Sequence, residues 1–394
     1  MNLASILEQV REGTITPEQA QELIAKLQAD QAASANPKTG NERPGDFDLG
    51  TKIKGFISQF MDGDEMKNSF RDIITDIFKP AGPLVSTDKG KITADGITKI
   101  SLTCPVGKVE IESGPAGEIG YELLAAENHK ADWSVKHKAD GPALQFEVQS
   151  SLSTRKLMMM SESVKLYLKV PAGIELNIDG KSTDALLTGL KNDINLKLLS
   201  GDIESENTFG NMKVHTLSGD VAIADHEGEL DLGTTSGDVS MIGVNGGGFI
   251  KAVSGDIEVT KCTGKFVYSS MSGDSEIRDV EGEIVIDSKS GDFSGENIRG
   301  NVRCKLMSGD ISWTSDFALD FGDIDLHTTS GDVKAVIPAA SSVAATLKTI
   351  SGDERIEHSR NPELLHNNKE IVLHEGKAKM SLKSVSGDVT LKLV

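Results

Sequence analysis

Residues 200–238 read SGDIESENTFGNMKVHTLSGDVAIADHEGELDLGTTSGD, in which Ser-Gly-Asp occurs three times at intervals of 18 residues. The same interval continues along the chain, and the motif begins at Ser200, Ser218, Ser236, Ser254, Ser272, Ser290 and Ser308. It recurs less evenly at Ser330, Ser351 and Ser386, and a degenerate copy, Ser182-Thr183-Asp184, stands 18 residues before Ser200. Six equal intervals in succession indicate an internal repeat of the kind that solenoids use.

A second glycine lies nine residues after the motif glycine, at Gly210, Gly228, Gly246, Gly264, Gly282 and Gly300. Regular glycines supply turns that need positive φ or close backbone approach. Between them, apolar and polar residues alternate: Val221 and Ile223 follow one motif, and Leu230 and Leu232 come nine residues after that pair. Each repeat, called a rung below, is therefore predicted to hold two short strands with one inward face. A single rung cannot bury that face, so rungs must stack.

We therefore predict a mainly β protein, a parallel β-solenoid (β-helix) of 18-residue rungs over residues 181–394, preceded by irregular first β rungs over 86–180. In the irregular part, 97–111 and 163–178 alternate as strands do, and 105–107 and 171–173 read as turns. A left-handed hexapeptide helix needs an aliphatic residue every six positions, and calcium-binding nonapeptide rolls need Gly-Gly-x-Gly-x-Asp in each half. Neither pattern is present.

The N-terminal region predicts a small α-helical module. Residues 1–28 read as a helical hairpin whose second helix opens with the capping box Thr16-Pro17-Glu18-Gln19. Residues 29–50 read as a linker, and 51–80 as one or two amphipathic helices. The apolar stripe of this segment includes Phe56, Phe60, Phe70, Ile74 and Phe78. Two interpretations stay open: the stripe covers an open end of the solenoid, or it docks on a partner or a membrane surface through 51–79.

Charge and composition exclude several classes of function. A formal net charge of −19 offers no basic stripe for phosphates, so we expect no nucleic-acid partner. Neither a secretory signal nor a membrane span is apparent, so we expect a cytoplasmic protein, peripheral to the membrane at most. The three cysteines, Cys104, Cys262 and Cys304, are too few and too far apart for a disulfide framework or a metal site. We expect no cofactor and no catalytic residue.

The motif aspartates should stack in one column, formed by Asp202, Asp220, Asp238, Asp256, Asp274, Asp292 and Asp310. Adjacent strands lie ~4.8 Å apart, so these carboxylates repel unless they are hydrogen-bonded or screened. One hypothesis is a turn ladder, in which each carboxylate accepts backbone N–H bonds within its own turn. The other is a cation ladder that holds Ca²⁺.

The recurring Ser-Gly-Asp-Val/Ile, the half-period glycine, the step Val170-Pro171-Ala172-Gly173 and the ending Val385-Ser386-Gly387-Asp388-Val389 resemble the bacterial putative-adhesin β-strand-repeat family, a domain of unknown function. The resemblance covers about residues 95–394. The segment from Ile6 to Ala20 is similar to the SHOCT-like helical module often found before that domain. The resemblance implies no catalytic residue, and it suggests a role in the cell-envelope stress response of Gram-positive bacteria.

The sequence as a whole favours a non-enzymatic, acidic interaction scaffold whose partner is a protein or an envelope polymer. Two alternatives remain: a surface adhesin with a calcium-binding aspartate ladder, and a polysaccharide-acting β-helix enzyme. Enzymes of the second kind build their clefts from long loops between rungs, and equal 18-residue spacings leave no room for such loops. Open solenoid ends would also permit end-to-end association of copies.

Overall fold

The computed structural model describes residues 83–152, 163–358 and 369–394, all within the compact unit Ala81–Val394. The predicted helical hairpin over 1–28, the linker over 29–50 and the helices over 51–80 lie outside the described residues, and they stay predictions.

One short 3₁₀ helix is described, at Glu127–Asp132. The described strands are β1 (Leu84–Thr93), β2 (Lys99–Ser113), β3 (Glu118–Ala126), β4 (Trp133–Asp140), β5 (Ala143–Ser150), β6 (Val164–Val170), β7 (Glu175–Thr188), β8 (Ile194–Ser200), β9 (Ile203–Phe209), β10 (Met212–Ser218), β11 (Val221–Glu227), β12 (Leu230–Ser236), β13 (Val239–Ile242), β14 (Asn245–Ser254), β15 (Ile257–Thr260), β16 (Thr263–Ser272), β17 (Ser275–Arg278), β18 (Glu281–Ser290), β19 (Phe293–Glu296), β20 (Arg299–Ser308), β21 (Ile311–Thr314), β22 (Asp323–Ser330), β23 (Val333–Ile337), β24 (Val343–Lys348), β25 (Glu354–His358), β26 (Glu370–Val372), β27 (Ala378–Ser386) and β28 (Val389–Leu393).

Two parallel ladders run along the stack of rungs. The motif ladder contains the strands that follow Ser-Gly-Asp, and it pairs Val221 with Val239 and Val239 with Ile257. The return ladder contains the strands that lead back to the next motif serine, and it pairs Ser218 with Ser236. Every partner in these pairs is 18 residues away along the chain. The register confirms the predicted parallel solenoid, because each inward residue stacks on its equivalent in the next rung.

The core lies between the two ladders, and the predicted inward positions fill it. Phe266 and Tyr268 on β16 are fully buried and stack with ring centroids 6.1 Å apart. Trp313 is fully buried beside Gly295, where a Cβ would lie 2.7 Å from the indole ring. A large side chain in one rung is therefore accommodated by a glycine in the rung below it, as close packing requires.

Each regular rung turns at three corners, one more than the sequence analysis predicted. The motif corner has its glycine at positive φ, for example 126° at Gly255, and the corner at the half-period glycine has 134° at Gly264. The third corner, seven residues after the motif serine, also has positive φ and is occupied in seven successive rungs by Gly189, Asn207, Asp225, Gly243, Lys261, Asp279 and Asn297. Gly, Asn and Asp adopt left-handed φ at low cost, so different residue types can occupy this corner with the same backbone conformation.

At the C-terminal end, the order of rungs in the stack differs from their order in the chain. The strands β27 and β28 pair with β22 and β23 on one side and with β24 and β25 on the other. The last rung of the chain therefore lies between two earlier ones. Its motif joins the same column, since Ser330 pairs with Ser386, and Ser386 forms a bridge with Ser351.

The other end of the solenoid contains the irregular rungs. Strand β2 pairs in parallel with β7 on one side and with β5 and β6 on the other. The predicted turn at 105–107 is a corner inside this long strand, because Gly107 lies opposite Thr183 in the motif column at a φ of 114°. The predicted turn at 171–173 separates β6 from β7. Beyond β5 and β6, the antiparallel strands β1, β3 and β4 cover the sheet edge, as β26 does at the opposite end.

Candidate interaction faces

The motif aspartates form a continuous hydrogen-bonded column. In the central rungs, Asp256 Oδ1 accepts a bond from the backbone N–H of Asp274 at 2.8 Å, and Asp238 Oδ1 accepts one from Asp256 at 2.8 Å. The same bond joins each neighbouring pair in the order Asp184, Asp202, Asp220, Asp238, Asp256, Asp274, Asp292, Asp310, Asp332, Asp388 and Asp353, at 2.7–3.0 Å. The carboxylates do accept backbone N–H bonds, but the bond goes to the next rung and not, as predicted, within the same turn.

This column has a direct electrostatic consequence. Each bond uses one carboxylate oxygen, and a charged acceptor makes a stronger bond than a neutral one. The second oxygen of Asp256 accepts none of these bonds, and the residue is exposed. The bonds to backbone dipoles thus offset part of the repulsion between stacked carboxylates.

The aspartate column lines one side of an open groove along the motif ladder, with a volume of about 910 Å³. We call the outward side of this ladder the motif face. Its remaining groove residues include Ser240, Glu258, Glu276 and Ser294. The basic residue that lines the groove is Lys334. Arg278, on the same ladder, contacts Glu276, and its guanidinium lies 3.7 Å from Glu258. The groove therefore presents a row of carboxylates with few counter-charges.

The residues described do not assemble a metal centre. Within ranges 83–152, 163–358 and 369–394, no group of three or more His, Cys, Asp or Glu side chains is placed to hold a metal ion. Calcium takes six to eight oxygen ligands, whereas each motif aspartate keeps a single carboxylate oxygen outside the bonds to the backbone. The cation ladder through Asp202, Asp220, Asp238, Asp256, Asp274, Asp292 and Asp310 stays a prediction.

The outward side of the return ladder, here called the return face, has a different character, which the sequence analysis missed. The position directly before each motif serine points outward, and it is apolar in seven of the ten motifs: Leu199, Leu217, Val253, Met271, Met307, Ile350 and Val385. These side chains are between 37% and 76% exposed. The signal was present in the sequence as an apolar column next to the motif, but the sequence does not show on which side of the strand this column lies.

The chemically reactive side chains inside the solenoid are closed off. Cys104, Cys262 and Cys304 are free and buried, and burial raises the pKa of each thiol, that of Cys104 to about 11. A thiol with a raised pKa is a poor nucleophile. Cys262 and Cys304 pack in core positions as predicted.

A polar chain in the core was not anticipated. His226 is 1% exposed, and its Nδ1 lies 3.0 Å from Thr208 Oγ1, which lies 3.0 Å from Ser205 Oγ. Burial lowers the pKa of the imidazole, so it is held neutral at pH 7. These three hydrogen-bonded side chains are all buried in the core, so we assign them a structural role.

The predicted docking residues Phe56, Phe60, Phe70, Ile74 and Phe78 lie outside the described residues. Among the residues that are described, no helix has the length and the apolar character needed to cross a membrane.

Comparison with protein families gives a match over residues 97–278 and 263–392, which together span most of the solenoid. The chain belongs to the Toastrack DUF4097 family. The Toastrack region includes the irregular rungs from β2 onward and every complete Ser-Gly-Asp motif. The putative-adhesin resemblance agrees with this family, and the SHOCT-like module is not part of the match.

None of the curated proteins compared with this Toastrack chain matches it. Among solved structures, a putative cell adhesion protein from Clostridium sporogenes shares 9% identity over 79% of this chain and 100% of its own, with a TM-score of 0.20. A putative adhesin from Bacteroides fragilis shares 12% identity over 80% and 99%, with a TM-score of 0.23. A putative lipid binding protein from Parabacteroides distasonis shares 12% over 78% and 96%, with a TM-score of 0.27. Scores this low carry no argument about what the chain binds.

Proposed function

We propose that this Toastrack chain is a non-enzymatic scaffold that binds an extended cationic segment of a protein or envelope polymer along its motif face. The observation that carries the proposal is the aspartate column, a regular row of exposed carboxylates that lines an open groove of about 910 Å³. The interstrand spacing of ~4.8 Å repeats the charge along the groove. A long open groove with a repeated charge suits a polymer or an extended chain better than a small molecule, which a concave and mostly enclosed pocket would bind.

The fixed backbone supports this assignment. Because the N–H of each motif aspartate is bonded to the previous carboxylate, the side chains are held in position before a partner arrives. A preorganised site loses less conformational entropy on binding than a flexible one. The row should therefore bind cationic groups through electrostatic attraction that weakens as salt is added.

The experiment uses the full chain and a decapeptide of alternating Lys and Ser, with affinity measured by fluorescence anisotropy at low and physiological salt. The test variant carries Asp256→Asn, Asp274→Asn and Asp292→Asn, because Asn keeps an acceptor oxygen for the backbone bond. The matched control carries Asp231→Asn, Asp287→Asn and Asp325→Asn on the return face, which changes the net charge equally. We expect the test variant to bind at least about tenfold more weakly, which corresponds to about 1.4 kcal/mol. Equal effects of the two variants would mean that net charge alone attracts the peptide.

The proposal also includes cytoplasmic residence at the membrane surface and a role in the envelope stress response, in line with the family resemblance. Cell fractionation tests the location, and recovery of the native chain outside the cell would favour an exported adhesin instead.

The calcium-dependent adhesin further requires Ca²⁺ binding. Calorimetry on the full chain should show no heat of Ca²⁺ binding, and a melting temperature unchanged by chelator would agree with that result.

A further inference from the structure

The return face combines an apolar column and a basic column on a protein with a net charge of −19. The first is the apolar stripe defined above, in which Met307 is 61% exposed and Leu199 54%. Phe249, 58% exposed, lies on the same strand as the stripe residue Val253, with Lys251 between them. Single exposed apolar side chains need no explanation, but a column that is apolar in seven of ten rungs indicates an interaction surface.

The second feature is a basic column two residues before the stripe. Five of its ten positions are lysine: Lys197, Lys251, Lys305, Lys348 and Lys383. In the part of the chain that the structure describes, no carboxylate lies within ion-pair distance of Lys197, Lys251 or Lys305, whereas Lys383 Nζ is 3.3 Å from Asp325 Oδ1. The column's one acidic residue is Asp287. This column thus carries a net positive charge although the chain is acidic.

From this arrangement we infer that the return face binds the surface of an anionic lipid membrane, with the stripe inserted among the headgroups and the lysines beside it on the lipid phosphates. Charge complementarity argues for an anionic occupant. Apolar side chains with basic neighbours are the pattern by which proteins lie on membranes. The stripe continues over many rungs at ~4.8 Å each, so it is matched to a large planar surface. The residues of this surface are other than those of the predicted docking segment 51–79, and they leave the motif face free for the proposed partner.

Cosedimentation of the full chain with vesicles tests the inference. The vesicles contain phosphatidylcholine alone, or phosphatidylcholine with about 30% phosphatidylglycerol, a fraction chosen to give a moderate surface charge. The charge variant carries Lys251→Gln and Lys305→Gln, and its matched control carries Lys261→Gln and Lys334→Gln, two exposed lysines outside the return face. The apolar variant carries Val253→Ser, Met271→Ser and Met307→Ser.

We expect binding to the anionic vesicles, a loss of about tenfold or more in each return-face variant, and less than about twofold change in the control. Circular dichroism confirms that each variant is folded. Two outcomes overturn the inference: vesicle binding that no return-face variant weakens, and a self-association of the chain that the apolar variant abolishes while vesicle binding is absent. The second outcome would identify a second copy as the occupant. The inference shares the non-enzymatic scaffold with the proposed function, but failure of peptide binding at the motif face would leave this result unchanged.

Discussion

Two of the rung's three corners, the motif corner and the third corner, differ in what they require of the sequence although the backbone has positive φ at both. At the motif corner, a Cβ on Gly255 would lie 2.1 Å from the carbonyl oxygen of Gly237 in the preceding rung, and the equivalent contact recurs rung after rung. At the third corner, the non-glycine residues Asn207, Asp225 and Lys261 occupy the equivalent position. At the motif corner, contact with the neighbouring rung therefore requires glycine. At the third corner, positive φ only favours it.

The largest expected effect compares the same substitution at the two corners. Gly255→Ala forces the new methyl group against backbone that cannot move without breaking a ladder, so we expect a loss of about 3–5 kcal/mol. Gly243→Ala, at the third corner, makes its one close contact, 2.5 Å, with Oδ1 of the movable Asp225 side chain and should cost about 1 kcal/mol. Chemical denaturation of both variants measures the difference. Equal losses would show that φ, and not contact between rungs, fixes the motif glycine.

The third corner can also be probed through His226, which follows Asp225 and points into the core. Burial lowers its pKa below the unfolded value of ~6.5. The unfolded chain therefore takes up the proton first, and stability should fall as pH drops below ~6.5, by at most ~1.4 kcal/mol per pH unit until the folded pKa is reached. The variant His226→Val, which copies Val244 and Val280 of the same column, should lose this part of the slope between pH 7 and pH 5. An unchanged slope would show that other groups cause it.

A smaller effect is expected at the motif aspartate. Asp256→Ala removes the acceptor for the N–H of Asp274 and should cost about 1 kcal/mol, since the freed N–H can turn to water. Asp256→Asn keeps an acceptor and relieves repulsion in the column, so it should change stability by less than about 0.5 kcal/mol. Thermal melting at two salt concentrations distinguishes them. If Asn is as damaging as Ala, charge rather than the hydrogen bond holds the column together.

The smallest effect is a stabilisation. Lys261 is the third-corner residue least suited to left-handed φ, at 55°. Replacement by Gly removes that strain but raises the entropy of the unfolded chain, so the net gain should not exceed about 1 kcal/mol. Lys261→Asn should give a similar gain in stability, because Asn raises the entropy of the unfolded chain less than Gly does. Melting of both variants beside the parent chain checks the sign, and a loss in both would place Lys261 in a contact that glycine cannot replace.

These contrasts also show how far the sequence predicts the structure. The glycine and aspartate columns and the inward positions repeat at a fixed interval, so the rung and its core could be read directly. The third corner escaped notice because Gly, Asn, Asp and Lys meet one requirement with different side chains. The position of the last rung escaped because Ser351 and Ser386 carry identical motifs, and a motif does not specify which neighbour it stacks on.

The candidate site was predicted only in part. The aspartate column was visible, but whether each carboxylate bonds within its own turn or to the next rung depends on the conformation of the side chain, which the motif spacing does not reveal. The return face needed the structure for a further reason. Leu217 and Leu198 are both leucines near a motif serine, and only the corner geometry decides that the first is 49% exposed and the second 5%.

The central claim is that each 18-residue rung is an interchangeable unit locked to its neighbours. The most direct test compares two deletions: residues 254–271, which removes one whole rung, and residues 254–262, which removes half of one. Removal of a whole rung keeps every ladder in register, so we expect a β-type circular dichroism spectrum and cooperative unfolding within about 10 °C of the full chain. Removal of half a rung places return strands on motif strands and should abolish cooperative unfolding. If the two deletions behave alike, the rung is not the unit of the fold.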